Sequence, residues 1–75
     1  TIGDITASFV MGLAGDKVMI SGRSIGDINV QLILEKLGGG GHINLAGAQI
    51  EGLSVEEVKV QLIDRINEYF DEENK

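Results

Sequence analysis

Seventy-five residues carry six basic and twelve acidic side chains, a formal charge of −6, and no cysteine. A chain of this size makes one domain that buries roughly 60% of its unfolded surface, and the missing cysteines exclude disulfides and thiolate metal sites, as suits an intracellular protein. The acidic balance excludes a purely electrostatic grip on a phosphate backbone, and no stretch approaches the ~20 apolar residues of a membrane span.

No basic-then-apolar signal opens the chain, which begins at Thr1 without Met and ends in a charged tail. A single domain over residues 1–75, cut from something longer, is the expectation. From Ser54 onward there are seven acids and three bases, so that segment carries −4, while residues 1–53 carry −2 and a single arginine, Arg23. An anion therefore finds its best reception in the first two thirds of the chain.

Ala7 to Met11 and Lys17 to Arg23 are two short runs rich in Val, Met, Ile and Phe. Ala14-Gly15-Asp16 between them is a turn signal for antiparallel strands. Alternation puts Val18 and Ile20 on one face of the second strand and Met19, Ser21 and Arg23 on the other. A short hydroxyl beside a fork of five donors can recognise a phosphate. The plain alternative is an arginine lying across an exposed sheet.

Ser24-Ile25-Gly26 turns the chain into a first helix, capped by Asn29 or Asp27. Val30, Ile33, Leu34 and Leu37 repeat at i, i+3, i+4 and i+7 as its core stripe. Gly38-Gly39-Gly40-Gly41 then stops the helix. Each glycine can take φ > 0 and lets a ligand approach the backbone closely. His42 adds a donor capable of carrying charge at the edge of a loop that bares N–H groups, a combination suited to an anion. A flexible cap and linker is the bland reading. A Walker loop is excluded because no Lys-Ser/Thr follows, and no dinucleotide fingerprint surrounds the run.

Ala46 to Glu51 reads as a third strand, with Ala46, Gly47 and Ala48 small enough for close backbone approach. Ser54-Val55-Glu56-Glu57 is a capping box, with Leu53 and Val58 at the staple positions. Val55, Val58, Leu62, Ile66 and Phe70 form the stripe of a second helix, with Ile63 and Tyr69 at its margins. Asp71 to Lys75 are expected to fray. The expected class is α+β, a small mixed sheet of a hairpin plus a third strand with two packed helices, in the order β-β-α-loop-β-α.

Catalysis within the chain is not expected. His42 is the only histidine, Asp4, Asp16 and Asp27 lack ligand spacing, and no order of Ser, His and acid recommends a triad. No catalytic and no metal-ligating residue is assigned.

Gly22-Arg23-Ser24-Ile25-Gly26 and Asn29-Val30, followed by Leu37-Gly38-Gly39-Gly40-Gly41-His42 and Ala46-Gly47-Ala48-Gln49, resemble a known domain. It is the C-terminal associated domain of Asp-His-His (DHH-family) phosphoesterases, and within them the GdpP-type cyclic-di-AMP phosphodiesterases. The similarity runs from Ala7 to about Phe70, and its most specific part is the Gly-Gly-Gly-His motif after an amphipathic helix and an upstream arginine.

The resemblance implies a separate N-terminal Asp-His-His domain with two manganese ions that activate water, while this domain closes over the substrate. Arg23 and His42 would contact phosphate, Gly39, Gly40 and Gly41 would offer backbone donors, and Ser21 and Ser24 would support the arginine. No cofactor belongs to this chain itself. The implied partners are that catalytic domain and a cyclic or linear dinucleotide, with no long nucleic acid and with a homodimer as an option. The implied setting is cytoplasmic bacterial signalling, the parent protein being open to anchoring through a segment not present here.

Two positions depart from the family pattern: Asn44 stands where Thr or Ser is common, and Gly22 replaces a usual alanine. Two other readings remain. One is the binding domain of an oligoribonuclease or RecJ-type exonuclease, although those usually read Ala-Ala-Gly after the histidine. The other is a non-catalytic RNA-binding or oligomerisation module, as in alanyl-tRNA synthetases, which His42 and the acidity oppose.

Overall fold

The computed structural model describes residues 6–74. Six elements follow one another: β1 (Ala7–Ala14), β2 (Lys17–Ser24), α1 (Val30–Glu35), β3 (Gly40–His42), β4 (Leu45–Glu51) and α2 (Val55–Glu73). The strands make one sheet in the order β1-β2-β4-β3, and both helices contribute to the core on one of its faces. The α+β class expected from the sequence is the one observed.

The sheet is antiparallel throughout rather than mixed. A strand–helix–strand unit alone would return parallel to its starting strand. Here part of the glycine run, read as loop, pairs as β3. That extra strand reverses the chain once more, so β4 comes back antiparallel to β2.

Local chemistry explains each boundary. Gly15, at φ 66°, makes the two-residue hairpin turn between β1 and β2. Val18 and Ile20 face the helices and are buried, as alternation requires. Asn29 caps α1 by accepting from the Leu32 N–H at 2.9 Å. The helix ends two residues before Leu37 because the chain tightens there. The Gly38 N–H donates to Glu35 O at 3.0 Å, the Gly39 N–H donates to Leu34 O at 2.8 Å, and Gly38 takes φ 84°. These paired bonds are a Schellman motif, which satisfies the last carbonyls of the helix.

On α2 the core stripe is Val58, Leu62 and Tyr69, whereas Phe70 is 42% exposed. The expected order of Tyr69 and Phe70 is therefore inverted. Eleven residues are close to three full turns, so Tyr69 stacks over Val58 while Phe70 rotates outward. The Tyr69 hydroxyl accepts from the Asn29 N–H at 3.0 Å, tying α2 to the start of α1. Lys36 adds longer pairs to Glu68 and Glu72 at 3.9 and 3.8 Å. The helix runs on through Glu73 instead of fraying at Asp71, and Lys75 lies outside the described residues.

The capping box forms as expected: the Glu57 N–H donates to Ser54 Oγ at 3.1 Å, and the Ser54 N–H donates to the Glu57 carboxylate at 3.0 Å. Those bonds, the backbone one first, hold the Glu57 carboxyl below its usual range. A carboxylate with a depressed folded value stabilises the fold above its unfolded value and loses that contribution as pH falls through the folded one. The urea midpoint of Glu57→Gln should therefore trail wild type near neutrality and meet it in acid. Ser54→Ala should cost about 1 kcal/mol by the same measurement.

Candidate functional site

The face of the sheet away from the helices is open. Residues opposed in an antiparallel ladder point to the same side, so the register sorts that face into rows. Ser8, Arg23, Leu45 and His42 form one row across all four strands. Val10, Ser21, Gly47 and Gly40 form the next, then Gly12, Met19 and Gln49. Lys17 and Glu51 close the far end with an ion pair at 3.5 Å.

Arg23 and His42 thus share a face and a row, both exposed to solvent. Leu45 stands between them, which puts their backbones two strand spacings, roughly 10 Å, apart. Two donors so spaced can flank one phosphodiester from either side, the arginine offering a planar fork and the histidine a single N–H. Ser21 lies on the same face one row further in.

Ser24 does not join them. Alternation turns it to the helix side, where it is 5% exposed and its Oγ accepts from Asn44 Nδ2 at 2.9 Å. The Ser24 N–H donates to Asn44 O at 3.0 Å, so the end of β2 and the β3–β4 turn are joined twice. Asn44, the residue that departs from the family pattern, is the one making this join. Gly22 has a packing reason as well. An ideal Cβ there would stand 2.8 Å from the Phe9 ring, whose bulk fills the place of a side chain.

The glycines divide by what holds them. Gly38 and Gly41 have φ 84° and 147°, backbone that favours glycine. Gly39 does not have a positive φ, but a Cβ there would come within 2.1 Å of Gly47 O and 2.7 Å of Ala48 Cβ. The small residues of β4 are therefore needed by the approach of this run. Gly40 has neither constraint: its φ is not positive and nothing lies within 4 Å of a Cβ built on it. The Gly39 N–H is engaged by Leu34 O. Any backbone donation to a ligand must come from elsewhere in the run.

Among the described residues no three His, Cys, Asp or Glu side chains come together, so nothing in this set fits a metal. Sequence reasoning put Met19 on the face of Ser21 and Arg23 without giving it a role, and did not place Gln49 there. Alternation along β2 and β4 carried the signal, but the register between strands was needed to read it.

A family model described as the DHHA1 domain matches residues 2–72, and the chain belongs to that family. Its relatives are specific. It is 49% identical over 72 residues to "Cyclic-di-AMP phosphodiesterase GdpP" of Geobacillus thermodenitrificans, covering 95% of this chain and 11% of that protein. It is 49% identical over 67 residues to "Cyclic-di-AMP phosphodiesterase PdeA" of Listeria monocytogenes, covering 88% and 10%. It is 39% identical over 51 residues to "Bifunctional oligoribonuclease and PAP phosphatase NrnA" of Thermus thermophilus, covering 68% and 16%. The chain thus spans between a tenth and a sixth of the length of these relatives.

The contrast between two neighbouring glycines is open to test. Gly39→Ala should destabilise by about 1–3 kcal/mol, because the added methyl meets fixed backbone. Gly40→Ala should be neutral or raise stability by about 0.4–1 kcal/mol through the unfolded chain. Urea unfolding of both variants beside wild type measures the difference.

Proposed function

We propose that this chain is the substrate-binding domain of a manganese-dependent phosphodiesterase that opens cyclic-di-AMP to its linear form. The observation that carries the reading is the common row of Arg23 and His42 on an uncovered sheet face, in a chain 49% identical to two proteins bearing that activity in their names. In this reading the manganese is held by the Asp-His-His domain of the parent protein, which would supply the activated water; among the described residues no group fits a metal.

The work of this domain is positioning. Arg23 and His42 donate to phosphate oxygens and fix the phosphodiester against the partner domain, converting encounter into a defined geometry. Ser21 lies one row behind as a further donor, and Gly40 and Gly41 let the substrate approach the backbone. Ser24 acts at one remove, by holding Asn44 and with it the turn that follows His42. No helix among the described residues is long and apolar enough to cross a membrane. This reading assigns cytoplasmic action, an anchor and a homodimer to the parent protein.

A second reading, supported by the similarity to the Thermus oligoribonuclease, gives the same residues a linear oligonucleotide end. The clamp serves either substrate, and turnover of cyclic-di-AMP against short RNA by the parent enzyme separates the two.

Charge-assisted hydrogen bonds contribute roughly 1.5–3 kcal/mol each. In the full-length enzyme, Arg23→Ala and His42→Ala should each lower kcat/KM by about one to two orders of magnitude while bound manganese is unchanged. Steady-state kinetics with metal analysis tests this, and wild-type kcat/KM in both variants would refute the clamp. Ser54→Ala, remote from the face, should leave kinetics unaltered. The isolated chain should hydrolyse nothing; chelator-sensitive turnover by the purified 75 residues would contradict that.

A further inference from the structure

The hairpin that carries His42 does not support itself. Strand β3 runs only from Gly40 to His42, is exposed throughout, and among the described residues pairs with β4 alone. Ile43 and Asn44 make the turn between the two strands. Two-residue hairpin turns match the twist of their strands when one or both central residues take φ > 0. Neither Ile43 nor Asn44 has a positive φ. A turn without it splays its strands, and a Gly-Gly-His strand has few side chains with which to resist.

What holds the turn lies outside the hairpin, in the segment that joins β2 to α1. The Ser24 N–H donates to Asn44 O at 3.0 Å, and the Val30 N–H donates to Ile43 O at 3.1 Å. The Asn44 amide donates to Ser24 Oγ at 2.9 Å and, at 3.5 Å, to Gly26 O. That segment is itself tied to α2, where the Tyr69 hydroxyl accepts from the Asn29 N–H at 3.0 Å.

We propose that Asn44 is a positioning residue for His42: its amide, bonded to both Ser24 and Gly26, sets the gap between His42 and Arg23. The proposal rests on the phosphate-clamp reading for what is positioned, but not for the bonds that do the positioning. Arg23 needs no such support. It lies on β2, whose backbone is paired with β1 on one side and β4 on the other. Of the two donors, His42 is the one on an edge strand, so the gap is decided where the β3–β4 turn is held.

Residue type matters at this position. An amide nitrogen carries two hydrogens and can serve two acceptors at once, whereas a hydroxyl carries one. Thr or Ser at residue 44 could serve Ser24 or Gly26, not both. Asparagine therefore fastens the turn to two points of the β2–α1 segment, beyond what its main chain does.

The test uses the full-length protein and two measurements. Hydrogen exchange without ligand reads the bonds. Asn44→Ala should speed exchange from Gly40 to Leu45 by about tenfold, as expected for one good and one long hydrogen bond, with β1 and α2 as in wild type. Steady-state turnover of cyclic-di-AMP reads the consequence. Displacing a positioned group by about 1 Å costs up to about a hundredfold, and Asn44→Ala should lower kcat/KM by about tenfold. In a His42→Ala background the same substitution should cost less than about twofold, because the group it positions is gone. A defect of folding alone would lower both backgrounds by the same factor. Asn44→Thr, keeping one bond, should fall between wild type and Asn44→Ala in both measurements.

Unchanged exchange in Asn44→Ala overturns the proposal, as does unchanged kcat/KM or an equal loss with and without His42. Wild-type kcat/KM in both Arg23→Ala and His42→Ala refutes the clamp, and the positioning role falls with it. Faster exchange in Asn44→Ala would then show that the turn was held as described, which tells the two failures apart.

Discussion

The packing of the glycine run onto β4 is the constraint on which the rest depends. Gly39 sits where a side chain would collide with the Gly47 carbonyl, and Gly41 lies over Ala46 with φ 147°. Because the run lies so close, it pairs as a strand, reverses the chain and makes the sheet antiparallel. The same contact places His42 in line with Arg23. A bulkier residue at Ala46 or Ala48 would lift the run away and separate the two donors. The Schellman bonds from Gly38 and Gly39 to α1 then fix how the run leaves the helix.

What was legible in the sequence was mostly local. Asn29 and Ser54 were readable as caps because capping is decided within three residues. Val18 and Ile20 were readable as core from alternation, and Val30, Ile33 and Leu34 from helical spacing. Strand β3 was not, since a glycine run has no side-chain pattern and no strand propensity; its pairing is set by the partner strand. The inversion of Tyr69 and Phe70 shows a different limit. Over three turns a one-residue difference rotates a side chain by about 100°, and the part-buried partner for the Tyr69 hydroxyl lies 40 residues away at Asn29.

The site divides in the same manner. Ser21 beside Arg23 followed from alternation, and that rule also turns Ser24 to the other face. The shared row of Arg23 and His42 could not be read, because it depends on two registers and on a strand that the pattern did not reveal. The family resemblance named both residues without that geometry. The geometry adds which face they occupy and what lies beside them: a hollow lined by one amide and no charged side chain, in a domain whose acidic charge is concentrated in its last third.

Asn44 bears on when order is acquired. Its side chain and main chain both bond Ser24, so the strand ends that carry His42 and Arg23 are fastened to each other before any ligand arrives. Four glycines in a free loop would lose their mobility at the moment of encounter and weaken association by that entropy. Fastened in this way, they lose it during folding instead, and a ligand held as proposed would meet a backbone already fixed.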